Sequence, residues 1–183
     1  MRGPRFGTMT PQMRGAISPY VYGELVWDLG AGDLWHSKML VALGATGVVA
    51  VDKEELPPSP DPRIRTTRSY FDAVETPPEG LSVAYLAWPI NHAHIPGLGQ
   101  LLSRSRTVVY IGSNTHGSAC GGPSLMAHLA SRSVLAHIPD PQNSLIIYGE
   151  WVGKRALLPE EWAALHPERM WTLEEATEAT SVR

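Results

Sequence analysis

Asp28, Gly30, Gly32, Asp33 and Asp52 are the residues of this chain whose types and spacing carry chemistry. They lie in Val26 to Asp52, which reads V-W-D-L-G-A-G-D-L-W-H-S-K-M-L-V-A-L-G-A-T-G-V-V-A-V-D. Glycines at 30 and 32 let the backbone turn sharply and approach a ligand with no Cβ in the way. A helix opening behind them, over Asp33 to about Leu43, points unpaired N–H groups at the same place. An acid about 20 residues further on, at the end of a second apolar strand, can accept hydrogen bonds from both hydroxyls of a ribose. Strand, glycine loop, helix, strand and acid make the first half of a dinucleotide- or nucleoside-binding βαβ unit. A pyrophosphate-binding loop calls for a third glycine and for positive potential. Here Trp35 stands in the place of that glycine and Asp33 adds negative charge, which argues against NAD or FAD.

The run D-L-G-A-G-D resembles motif I, (D/E)xGxG, of the class I S-adenosylmethionine (SAM)-dependent methyltransferases, and V-V-A-V-D resembles their motif II. The resemblance implies that Gly30 and Gly32 lie beside the methionine end of SAM, that Asp28 places its ammonium group, and that Asp52 holds the ribose. Asp72, just past the third strand, falls where the family contacts the adenine amino group. SAM carries a sulfonium and an ammonium but no phosphate, so acids at this loop favour it. The function implied is methyl transfer to an acceptor that is a small molecule, a protein or a nucleic acid. Two other functions compete with it. One is a non-catalytic methyltransferase-like partner subunit that retains SAM. The other, more remote, is an NAD-dependent oxidoreductase.

The loop W-P-I-N-H-A-H after the fourth strand is the expected catalytic one, because ligands in this architecture bind outside the carboxyl ends of the strands. Trp88 and Asn91 are its candidates for stacking and hydrogen bonding, and His92, which titrates near neutral pH, is the candidate base. Enzymes that methylate amino groups of DNA bases carry (D/N/S)-P-P-(Y/F/W) here. Only Pro89 matches, with Ala87 in place of the polar residue and Ile90 in place of the aromatic. His92 and His94, two apart on a loop with no nearby cysteine or third ligand, do not make a metal site, and none is expected. Ser113, Asn114 and His116, in the polar loop after strand five, are second-rank acceptor-site candidates. Tyr20 and Tyr22 either stack on a ligand or pack the leader on the core, and His36 reads as structural or exposed.

The elements that must position these residues follow from the apolar runs. The first two strands are the runs already described, Val26 to Trp27 and Val48 to Val51. After them come Arg63 to about Ser69, Leu81 to Ala87, T-V-V-Y-I-G, S-V-L-A-H-I and S-L-I-I-Y-G-E-W. The last two strands are joined by the short turn P-D-P-Q-N and must be antiparallel neighbours. The fold class expected is therefore α/β, a doubly wound, mostly parallel seven-stranded sheet with an antiparallel terminal hairpin strand. Trp35, Met39 and Leu43 are expected to form the core-facing stripe of the first helix. Residues 1–20 read as a loop-rich leader or lid, 21–152 as the core, and 153–183 as a C-terminal helical tail.

Composition sets the outer bounds. A hydrophobic fraction of 43% and a charged fraction of 18% are ordinary for a soluble globular chain. With a net charge of −3, no global basic field recruits nucleic acid. The single cysteine, Cys120, excludes a disulfide framework and suits a reducing compartment, so a cytoplasmic location with no membrane span is expected. Prolines 57, 58, 60 and 62, then 77 and 78, curtail two crossover helices. A parallel sheet avoids an open apolar face, which leads to the expectation of a homodimer or a heteromeric partner over the strand two to strand four flank.

Overall fold

The computed structural model describes residues 9–89, 95–112, 123–140 and 143–151. Seven strands form one sheet: β1 (Leu25–Leu29), β2 (Gly47–Asp52), β3 (Ile64–Arg68), β4 (Leu81–Ala87), β5 (Ser105–Gly112), β6 (Arg132–Ile138) and β7 (Ser144–Trp151). Their spatial order is β3-β2-β1-β4-β5-β7-β6. The first five run parallel, whereas β7 is antiparallel to both β5 and β6. This is the expected mostly parallel sheet with its antiparallel hairpin.

Alternation along each strand splits the core in two. Trp27, Leu29, Val49, Val51, Val108 and Tyr110 face one side, under α3 (Leu98–Ser103) and α4 (Pro123–Ala130). Val26, Val48, Ala50, Tyr85, Val109 and Ile147 face the other, under α1 (Pro11–Val21) and α2 (Trp35–Ala42). On the flank where crossover helices are curtailed, Val49 and Val51 are buried, and Phe71 and Val74 pack against their cluster. Among the described residues no helix is long and apolar enough to cross a membrane.

Two helices differ from expectation. The loop-rich reading of the leader is corrected by α1. Thr10 caps it, its side chain accepting from the Met13 N–H at 3.2 Å, and Pro11 occupies the first turn, where its missing N–H costs nothing. Pro19 lies inside the helix, at a penalty of roughly 3 kcal/mol. Burial of Met13, Ile17 and Val21, each worth roughly 1.5–3 kcal/mol, outweighs it. In α2 the buried residues are Ser37, Leu40 and Val41, while Trp35, Met39 and Leu43 are only partly buried. The expected stripe is thus rotated about the helix axis. The helix also starts at Trp35 rather than Asp33, because Leu34 is left-handed (φ 63°).

Candidate functional site

Strand order reverses between β1 and β4: the chain moves to one side of β1 through β2 and β3, and to the other through β4 and β5. A crevice outside the carboxyl ends of the strands opens at such a switch point. The Gly30–Gly32 loop ends β1 there, and Trp88 follows β4. The register that pairs Asp28 with Tyr85 carries Gly30 and Ala87 to neighbouring positions on the same edge.

The loop is built for close approach. Gly30 (φ 86°) and Gly32 (φ 52°) both adopt conformations that favour glycine, and a Cβ at either position would meet no atom of the described residues within 4 Å. Among the described residues nothing crowds the loop at these two positions. The amides of Gly30 and Ala31 donate to the Val51 carbonyl at 2.8 and 3.1 Å, which ties the loop to β2. The Gly32 N–H donates to Asp52 Oδ2 at 3.0 Å, and the Glu54 N–H to Asp52 Oδ1 at 3.0 Å. Behind the loop, Asp33 Oδ1 accepts from the Trp35 N–H at 3.0 Å and so caps α2 in place of Leu34. The loop thus meets a carboxylate at its rim, as the spacing predicts.

Asp28 is the electrostatic centre. Pleating turns it toward α2, where it is 1% exposed. Ser37 Oγ donates to its Oδ2 at 2.5 Å, which accounts for a serine buried on this helix. Burial pushes the carboxyl up to about 7, the Ser37 hydrogen bond opposes that rise, and the charges of Asp52 and Asp33 add to it. Three carboxyl groups thus flank one loop. On the paired strand, the buried Tyr85 hydroxyl and His36 Nδ1 share a hydrogen bond at 2.6 Å. Desolvation raises the Tyr85 phenol well above its ordinary range, with the Asp28 charge second. His36 thus has a hydrogen-bond partner on β4.

Asp72 lies in a short 3₁₀ turn, Phe71–Ala73, past the end of β3, and is exposed. The turn is held by Gly97 (φ 77°), whose missing Cβ would collide with the Asp72 amide. Trp88 is partly buried, packs against both core clusters, and is left-handed (φ 52°). A bulky residue in that conformation stores on the order of 1–3 kcal/mol, which is characteristic of functional sites. Its Nε1–H donates to Asn143 Oδ1 at 2.9 Å. Tyr20 packs on the core and Tyr22 is exposed beside Gly44, at the opposite edge of the sheet. Asn91, His92 and His94, and Ser113, Asn114 and His116, lie outside the described residues. Among the described residues no cluster of metal-ligating side chains occurs.

No protein-family model and no curated protein matches the chain. Solved structures do match. The Escherichia coli protein yhhF, classed as a methyltransferase, aligns over 83% of this chain and 90% of its own, with a TM-score of 0.60 and 11% identity. A 1,6-didemethyltoxoflavin-N1-methyltransferase from Burkholderia thailandensis, solved with its substrate and S-adenosylhomocysteine, aligns over 75% of this chain and 77% of its own (TM-score 0.54, 16% identity). The chain has the class I methyltransferase fold. The Asp28–Gly32 loop and Asp52 lie at the carboxyl edge of β1 and β2. Sequence reasoning missed Ser37, Tyr85 and Asn143, since each gains its role only from a partner distant in the chain.

Proposed function

We propose that the protein is a SAM-dependent methyltransferase. The observation that carries this reading is the glycine loop itself, uncrowded by any described residue at its two glycines and flanked by the carboxyl groups of Asp28, Asp33 and Asp52 with no cation on the loop. Such a site suits a ligand that is positively charged and carries ribose hydroxyls. It repels a pyrophosphate. Asp52 would accept from the ribose, its carboxylate held in place by the Gly32 N–H. Gly30 and Gly32 would lie beside the methionine end, with Asp28 drawing the ammonium group. Asp72 would face the adenine. The neighbour with bound S-adenosylhomocysteine supports the same choice of cofactor.

SAM supplies an electrophilic methyl group, whose carbon–sulfur electrons return to sulfur as the acceptor's lone pair bonds to carbon. The chain's own residues then need to align the pair at about 3–3.5 Å and exclude water. Trp88 shapes the acceptor side of the crevice, together with Asn91, and His92 takes a proton where the acceptor must lose one. Asn91→Ala and His92→Ala should lower turnover while leaving SAM affinity nearly intact. A second reading, a methyltransferase-like partner subunit, is favoured by the apolar Ala87-Trp88-Pro89 segment, which brings no acid or base to the carboxyl end of β4. Calorimetry with SAM, S-adenosylhomocysteine and NAD in parallel tests the cofactor. Binding of NAD alone would overturn the proposal, and methyl transfer from labelled SAM separates enzyme from partner subunit.

A further inference from the structure

Trp88 combines two unusual features: a left-handed backbone and an indole whose polar edge is tied to another part of the sheet. The tie comes from the turn before β7. Asn143 is 9% exposed, and its own amide donates to Asp140 Oδ1 at 2.9 Å, so the residue is itself fixed. Its Nδ2 lies 3.8 Å from Met13 Sδ on α1. Three remote segments, α1, the carboxyl end of β4 and the β6–β7 turn, therefore meet at the Asn143 side chain.

The Trp88 amide donates to the Ile111 carbonyl at 2.7 Å, which pins the backbone as well. Ring and backbone are thus held by separate partners, at the carboxyl end of β4, the strand that flanks β1 at the switch point. We propose that Asn143 is a positioning residue that holds the Trp88 indole as the wall of the crevice on the side of the sulfonium. This rests on the methyltransferase reading. An aromatic face beside a sulfonium attracts it as it would any cation. The wall thereby distinguishes charged SAM from its demethylated product, which lacks the sulfonium. Truncating Asn143 removes that hold on the indole and weakens the distinction through Trp88.

The test uses the full chain with ¹⁵N-labelled indoles, the Trp88 resonance being assigned from Trp88→Phe. In Asn143→Ala the Trp88 N–H resonance should move and exchange with water at least tenfold faster. Asn143→Asp, which keeps the acceptor oxygen, should restore it, and Asn143→Ser replaces the alanine variant should that not fold. By calorimetry, SAM affinity should fall at least threefold in Asn143→Ala and S-adenosylhomocysteine affinity by less. In the Trp88→Phe background the same change should have no further effect. An unmoved resonance, equal losses for the two ligands, or additive losses with Trp88→Phe would each overturn the positioning role. A wild-type protein that binds neither ligand would overturn the methyltransferase reading itself, and the two failures are thereby distinguished.

Discussion

Replacing Asp28 by asparagine should stabilise the protein, by an amount that grows as pH rises toward neutrality. The folded-state carboxyl titrates near 7 against an ordinary value of 3.8, chiefly because it is buried. Between those two values the folded chain holds a proton that the unfolded chain has lost, so stability falls as pH rises through the window and levels off above about 7. A difference of roughly three pKa units corresponds to about 4 kcal/mol. Asparagine is neutral throughout and still accepts from Ser37. The Asp28→Asn variant therefore behaves as a wild-type chain whose carboxyl never ionises. It should match the wild type near pH 4 and exceed it by roughly 2–4 kcal/mol at pH 8, the lower figure allowing for relaxation around the buried charge. Urea denaturation of both proteins at pH 4.5, 6, 7 and 8 measures the difference, because other groups titrate alike in the two. A pH-independent difference, or a wild type more stable at pH 8, would refute the account of Asp28 given above. The same variant should bind SAM more weakly, since the charge that destabilises the empty fold is the one that attracts the ligand's ammonium group. A gain in stability with a loss of affinity is the expected signature.

Three further predictions concern other parts of the molecule. Asp52→Ala should weaken SAM binding by roughly 1.5–3 kcal/mol through loss of an ionised acceptor, and Gly30→Val should abolish it by placing a side chain in front of the loop, both read by calorimetry. Gly97→Ala should displace the Phe71–Ala73 turn and lower SAM affinity several-fold, whereas unchanged affinity would remove Asp72 from the site. Arg132 is buried and donates to the carbonyls of Gly149 (2.6 Å), Ser105 (2.7 Å) and Leu102, so Arg132→Ala should cost on the order of 3–5 kcal/mol in urea denaturation.

The sheet was legible because it rests on local signals: apolar runs of strand length, a short turn between the last two, and glycines at the sharpest bend. The meeting of the glycine loop with Asp52 was legible for the same reason, since Gly30, Gly32 and Asp52 are brought together by backbone conformation and spacing. What stayed hidden depends on tertiary partners. Ser37 looks like an ordinary helix serine until Asp28 is placed opposite it, and its burial is what rotates α2 away from the Trp35–Met39–Leu43 stripe. Pro11 and Pro19 suggested a loop, yet one starts α1 and the other is outweighed by apolar burial. Leu34 and Trp88 occupy left-handed backbone that no residue-type preference would assign to them.

Because β7 lies between β5 and β6, the order in which the sheet closes differs from the order in which the chain is made. During synthesis β6 leaves the ribosome before the strand it pairs with exists. Until Trp151 has followed, the edge of β5 that carries Val109, Tyr110 and Ile111 stays unpaired. An exposed apolar strand edge is a template for association with other chains. The growing polypeptide thus keeps that edge open to other chains until the hairpin is completed, and a pause in translation just before residue 144 would prolong the interval.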